Sequence, residues 1–230
     1  EDNRRKLHAM LEEAAAGNGF AKGSPQQMMG DLYAGAMDSL AIDKAGYTPV
    51  ANDLKRIDRL SSAADVVEEC AYEYSQGGGN LFGAYVGADD RNATVNKLQF
   101  SQSGLSLPGR DYYLKDDAGT KHIRSEFVRY VANMFKAVGA DSLTATKNAL
   151  AILELETALA KSHSTPVELR DPVKNYNKFA VKDLNALTPV INWNQFLETY
   201  GANTDTVLVG QPEYFKELSR QLKSAPLEVW

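Results

Sequence analysis

The sequence predicts a mainly α fold, a single multi-helix domain with one short β-hairpin, and three observations lead there. Apolar residues recur at helical spacing over most of the chain. Helix-start and helix-stop residues punctuate it at short intervals. Only one stretch, near residues 81–100, has the β-branched and aromatic content of paired strands. No internal repeat, low-complexity tract or long linker divides the 230 residues, so 1–230 is taken as one domain.

The elements follow in order. Leu7, Met10, Leu11 and Ala14 share one helical face and lead to a stop at Gly17-Asn18-Gly19. Ser24-Pro25 opens a second helix whose apolar stripe runs through Met28, Met29, Leu32, Tyr33, Ala36, Met37 and Leu40. Thr48-Pro49 starts a third, carrying Leu54, Ile57 and Leu60. Ser62 and Asp65 have the spacing of a capping box for a fourth, through Val66, Val67, Cys70, Ala71 and Tyr74, which Gly77-Gly78-Gly79 ends. Leu81–Val86 and Thr94–Phe100 flank a polar turn and form the hairpin, followed by a Gly/Pro-containing loop over 104–113.

In the second half, Ile123, Phe127, Tyr130, Val131, Met134 and Val138 lie on one helical face. The short link Gly139-Ala140-Asp141 makes the next helix, about Ser142 to Lys161 with Leu150, Leu153, Leu155 and Leu159, its antiparallel partner. Arg170-Asp171-Pro172 is extended. Two shorter helices are expected around Asn194–Tyr200 and Pro212–Leu222, with Asp205–Gly210 between them as a strand fragment. The polar, helix-like start at Glu1-Asp2-Asn3 lacks an initiator Met or signal peptide, and Ser224–Trp230 begins a helix and stops. Both ends read as those of a piece cut from a longer protein.

Composition excludes some function classes. Lys and Arg number 25 against 30 Asp and Glu, a net charge of −5 spread thinly, which argues against a nucleic-acid partner. No apolar run approaches the roughly 18–20 residues of a membrane-spanning helix. The single cysteine, Cys70, forms no internal disulfide and sits at an apolar helical position, as a buried inert thiol.

Motifs with chemistry are few. His8, His122 and His163 are separated by more than a helical turn, no H-E-x-x-H occurs, and the three read as surface or loop histidines. There is no G-x-S-x-G. Gly77-Gly78-Gly79 lacks the Lys and Ser/Thr of a phosphate loop, and Asp89-Asp90-Arg91-Asn92 lacks the Gly and Glu of a calcium loop, so it reads as a solvated turn. Asn92-Ala93-Thr94 is a glycosylation sequon only on a eukaryotic secretory route. Glu12-Glu13 and Glu68-Glu69 read as solvated helix faces. Two arginine-acid clusters remain, Arg110-Asp111-Tyr112-Tyr113 and Arg170-Asp171-Pro172. Each Arg either grips a substrate carboxylate or ties its loop to helix C-terminal carbonyls while the Asp caps the next turn; the structural reading is favoured. No catalytic, cofactor-binding or metal-ligating residue is assigned to this chain.

Several of these segments, taken together, resemble the N-terminal region of the neprilysin-like (M13) zinc metallopeptidases. They are Leu81–Asn92, Gly104–Leu114, Leu153–Leu159, Leu169–Lys178, Trp193–Glu198 and Gln211–Lys216, in the family's order over about residues 66–230. Residues 1–65 fit the family's helical lead-in without a sharp motif. The resemblance implies a two-lobed endopeptidase in which this chain is the non-catalytic helical cap over an internal chamber. The zinc, held on an H-E-x-x-H helix and a downstream Glu, belongs to the C-terminal part beyond Trp230. The family's substrate-carboxylate-reading arginines fall before Glu1, so neither Arg4 nor Arg5 takes that role. Implied partners are the chain's own catalytic lobe and peptide substrates. A single cysteine instead of a set of disulfides points to a bacterial-type homologue, often exported to the periplasm or cell surface. The contrasting reading is a stand-alone helical peptide- or protein-binding or scaffold module with no enzymatic parent.

Overall fold

The computed structural model describes residues 2–17 and 19–230, so Glu1 and the Asn18 of the expected first helix stop lie outside the described residues. The chain divides into two compact units, Glu1–Lys55 and Arg56–Trp230.

In the first unit, α1 (Asp2–Ala16) pairs with α2 (Pro25–Met37). The Ser24 hydroxyl caps α2 by accepting from the Gln27 N–H at 3.3 Å, and Pro25 sits in the first turn where no N–H is needed. The helices meet at small residues: Ala14 and Gly30 are buried, and a Cβ at Gly30 would lie 2.3 Å from the Ala14 carbonyl oxygen. The second helix is shorter than the stripe through Leu40 predicts. Asp38 accepts from the Ala41 N–H at 2.9 Å and starts α3 (Ser39–Ala45), which takes Leu40 with it. Thr48–Val50 forms a 3-10 turn, leading into α4 (Ala51–Ile57), within which the division falls.

The second unit opens with α5 (Ala63–Ser75). Its capping is displaced from the expected box: Ser62 Oγ accepts from the Asp65 N–H, but the Asp65 carboxylate turns to the N–H and hydroxyl of Ser61, at 2.8 and 2.7 Å. The hairpin is longer than expected, β1 (Phe82–Asp89) with β2 (Asn92–Gln102), and forms half of a four-stranded sheet. The foreseen fragment is β4 (Thr206–Val209), which pairs in parallel with β2 (Phe100 opposite Val209) and antiparallel with β3 (Lys178–Ala180). Sheet order is β1-β2-β4-β3. Between these strands lie the one-turn α6 (Asp111–Leu114), the antiparallel pair α7 (Ala118–Ala137) and α8 (Ser142–Ser162), α9 (Val181–Leu187) and α10 (Trp193–Tyr200), and α11 (Pro212–Ser224) follows β4. At the end of the chain the expected helix start is a single 3-10 turn, Leu227–Val229.

An aromatic core forms where the sheet meets α5, α10 and α11. Phe82, Phe100, Trp193, Phe196, Tyr214 and Phe215 are fully buried, and the rings of Phe100 and Trp193 lie 4.9 Å apart. Trp193 Nε1 donates to Thr188 Oγ1 at 2.6 Å, so the indole is buried without an unmet donor. The α7–α8 seam is different: buried Ala132, Ala145 and Ala149 let the backbones approach closely, while Tyr130 and Met134 of the expected stripe face outward.

Candidate functional site

The best-built polar feature is the loop joining β2 to α6, the Gly104–Tyr113 stretch of the sequence. Gly104, at φ +77°, makes the first bend, where a Cβ would lie 2.9 Å from both the Leu81 carbonyl oxygen and the Tyr214 hydroxyl. Glu156, buried on α8, then pins the loop from below. One carboxylate oxygen accepts from Ser106 Oγ at 2.7 Å, and the other accepts from the Ser106 N–H at 3.2 Å and from the Tyr113 hydroxyl. The Tyr113 hydroxyl in turn accepts from the Leu107 N–H at 2.8 Å. Burial, with the bond to Glu156, holds the Tyr113 phenol well above its ordinary pKa, so it stays protonated and donating.

Beside this loop lies a cavity of about 550 Å³, lined among others by Arg110, Gln102, His163 and Gln211. The last three are engaged. The Gln102 amide bonds both the N–H and the C=O of Ser164, at 2.7 and 3.2 Å. Gln211 accepts from the Gln102 N–H and donates to Asn175, both at 2.8 Å. His163 Nε2 meets the Ser103 carbonyl at 3.0 Å. Burial first, and then the charge of Arg110, pushes the His163 pKa down to about 4, so the ring is neutral near neutrality. Arg110 is the exception: its Nε is buried and takes no hydrogen-bond partner.

Several expected roles are corrected here. Arg110 does not tie the loop to helix carbonyls; Arg124 does, its Nη1 donating to the C=O of Tyr112 and of Lys115, each at 2.8 Å. Asp111 pairs with Lys115 at 2.9 Å instead of capping the following turn. Arg170 is exposed at the end of a 3-10 turn, while Asp171 does cap, accepting from the N–H groups of Val173 and Lys174. His163 is a loop residue just past the end of α8, but it is buried against Tyr214 and not on the surface. His8, by contrast, is exposed beside Tyr33 and Glu12, and His122 is exposed on α7.

Asp89 is not part of a solvated turn. Only 3% exposed, it accepts from the Arg91 N–H and from the Tyr176 hydroxyl, 87 residues downstream, at 3.0 Å. These bonds, with Lys178 nearby, keep its carboxyl below the usual range. Glu69 is likewise half-buried, clamped by Arg56 through Nε and Nη2 at 2.8 and 2.7 Å, so Glu68-Glu69 is not wholly a solvated face. Cys70 is buried as expected, and burial raises its thiol pKa.

Fold and site together define a mainly helical chain whose second unit holds an aromatic core and an acid-pinned loop beside a cavity. The family model described as Peptidase family M13, in its N-terminal part, matches residues 1–230, and the chain belongs to that family. It is 34% identical to mouse endothelin-converting enzyme 1 over 145 residues, 60% of this chain and 19% of that protein. It also superposes on the Mycobacterium tuberculosis zinc metalloprotease Zmp1, solved with an inhibitor, with a TM-score of 0.88 and 28% identity. That match covers 98% of this chain and 35% of Zmp1. PepO from Lactobacillus rhamnosis shares the fold at a TM-score of 0.77 and 23% identity, with 95% of this chain and 34% of PepO covered. The chain thus spans about a third of the length of these solved relatives.

The family's zinc does not fit this chain's own donors. Among the described residues no group of three or more His, Cys, Asp or Glu side chains could hold a metal ion. His163 has its Nε2 on a backbone carbonyl, and His8 and His122 stand on separate helices. No helix among the described residues is long and apolar enough to cross a membrane.

Proposed function

We propose that residues 1–230 act as the non-catalytic helical lobe of a larger zinc endopeptidase, enclosing the chamber in which peptides are cut. The observation that carries this reading is one of proportion. The family model matches the whole chain, yet the chain spans only 35% of Zmp1. The exposed apolar side chains support it. Leu32 and Leu40 in the first unit and Leu143 in the second are each more than three-quarters exposed, and large apolar groups in such number fit a surface that another lobe covers. In this reading zinc binding and water activation fall to another part of the parent, and this lobe supplies walls that admit peptides and exclude folded proteins.

The direct test is to incubate the purified chain with zinc and a quenched fluorogenic peptide. No chelator-sensitive cleavage is expected; such cleavage by the chain itself would overturn the proposal. The coding sequence downstream of Trp230 is a second test. An H-E-x-x-H there is expected, whereas an unrelated domain would favour the stand-alone binding module.

A further inference from the structure

β1 forms one edge of the sheet and is eight residues long. From Phe82 to Ala88 it holds no charge and no proline, and its register shifts only between Ala88 and Asp89. The opposite edge, β3, is three residues long and opens on Lys178. Long edges are usually blunted by charge, proline or brevity, because their unpaired backbone groups invite another chain. The hydrogen bonds show which groups of β1 point outward. Phe82 and Gln102 stand opposite each other, yet the Phe82 N–H donates to the Tyr74 hydroxyl at 2.9 Å and the Gln102 N–H to the Gln211 side chain at 2.8 Å. That pair is therefore not bonded across the ladder, and antiparallel alternation makes Ala84 with Phe100 and Val86 with Leu98 the next unbonded pairs. The Phe100 carbonyl agrees, since it turns away from β1 to accept from the Gly210 N–H at 2.8 Å. The N–H and C=O of Ala84 and of Val86 thus face off the edge, and among the described residues no other element bonds them.

We propose that this edge, at Ala84–Val86, docks an extended, uncharged peptide segment of another polypeptide, which joins the sheet as one more strand beside β1. A row of alternating donors and acceptors is matched by another extended main chain, and by little else. The side chains admit it on both faces. Tyr85, 53% exposed, is flanked on its face by Gly83 and Gly87, and Val86, 63% exposed, on the other by Ala84 and Ala88. Large apolar side chains of the incoming strand can therefore lie against Tyr85 and Val86 over small neighbours, in the cross-strand contacts that stabilise paired strands. With no charge on the edge up to Ala88, a charged segment would be desolvated there without a counterpart, so the fit is to an uncharged one. A second copy of the chain fits less well. Symmetric pairing about Val86 would set Ala84 against Ala88, whose carbonyl already accepts from Gln99 Nε2 at 3.0 Å, whereas a separate peptide can choose its register. The inference goes beyond the proposed enclosure role and concerns binding by this chain's sheet alone.

The test is amide hydrogen exchange, followed by nitrogen-15 NMR, on the 230-residue chain. In the free chain the Ala84 and Val86 N–H groups should exchange faster than those of Tyr85 and Gly87, which the alternation turns toward β2. Acetyl-Thr-Val-Thr-Val-Thr-amide should slow the first two and shift their signals. The same peptide N-methylated at every residue keeps the side chains but lacks the N–H groups, and should bind at least about tenfold more weakly. Val86→Pro removes an outward N–H that takes no part in the ladder, so the hairpin should survive while affinity falls at least about tenfold. Should that variant misfold, Val86→Lys, at an exposed side chain, places a charge on the edge and should weaken binding about threefold. Ala84 and Val86 already protected in the free chain, equal binding of the two peptides, or unchanged affinity in a folded variant would each overturn the site. Protection that grows with the concentration of the chain alone, with a dimer in sedimentation, would assign the edge to a second copy and overturn the peptide partner. None of these outcomes depends on whether the parent cleaves peptides.

Discussion

The two compact units use their apolar residues in opposite ways. In Arg56–Trp230 the aromatic side chains converge: Phe82 lies within 5.6 Å, centroid to centroid, of Phe100, Trp193, Phe196 and Phe215. Among the described residues of Glu1–Lys55 the buried contacts come down to Ala14 against Gly30, while Leu7, Met28, Leu32 and Leu40 stay exposed. Both regions carry helical apolar stripes in sequence. A stripe therefore marks the side that must be covered, but not whether this chain supplies the cover.

Breaking the aromatic core should cost most. Trp193→Ala removes a fully buried indole and its bond to Thr188, and is expected to lower stability by about 4 kcal/mol, read as a drop in the urea midpoint. A loss under about 1 kcal/mol would end the contrast between the units. Glu156→Ala unpins the 104–113 loop, leaving Tyr113 and Ser106 without their acceptor. About 3 kcal/mol is expected, with faster amide exchange at Ser106 and Leu107.

His163 adds a pH dependence. Its folded pKa, pushed down to about 4, lies below the ordinary 6.5. Above 6.5 both states are neutral there; as pH falls, the unfolded chain takes up the proton first, so stability declines until the folded protein also protonates near 4. His163→Gln should remove that decline, about 3 kcal/mol, measured as urea midpoints across the same range. In the first unit, Gly30→Ala drives a methyl into the Ala14 carbonyl and should loosen α1 from α2 by about 2 kcal/mol, visible as lost helical circular dichroism. Leu32→Ser, at a side chain 77% exposed, should change stability by no more than about 0.5 kcal/mol; a larger loss would mean that the first unit hides a core after all.

What could be read in advance follows the range of the interaction. Helix starts were legible because a cap is local: Ser24-Pro25 and the Gly139-Ala140-Asp141 link act within four residues of themselves. Asp38 carried the same kind of signal, and the break before α3 was missed because the apolar spacing runs on through Leu40. The parallel pairing of β2 with β4 was not legible, since a four-residue strand bears no mark of a partner more than a hundred residues away. Asp89 looked like turn chemistry because its buried partner is Tyr176. At the loop, Gly104–Tyr113 and the Leu153–Leu159 segment were both singled out as family-like, yet nothing in either reveals that Glu156 reaches Ser106 and Tyr113. For Arg110 the sequence offers two options, and only the enclosure of its Nε separates it from the exposed Arg170.

The parallel seam between β2 and β4 also has a consequence for biosynthesis. Lys97 to Thr206 and Gln102 to Gln211 each close a span of 109 residues. On the ribosome the hairpin therefore emerges with Phe82 and Phe100 bare, and waits roughly 5–20 s, at the usual pace of translation, for the strand that completes the sheet. Throughout that interval the nascent hairpin offers an unpaired edge beside two bare rings, the kind of surface that chaperones shield and that aggregates when they do not.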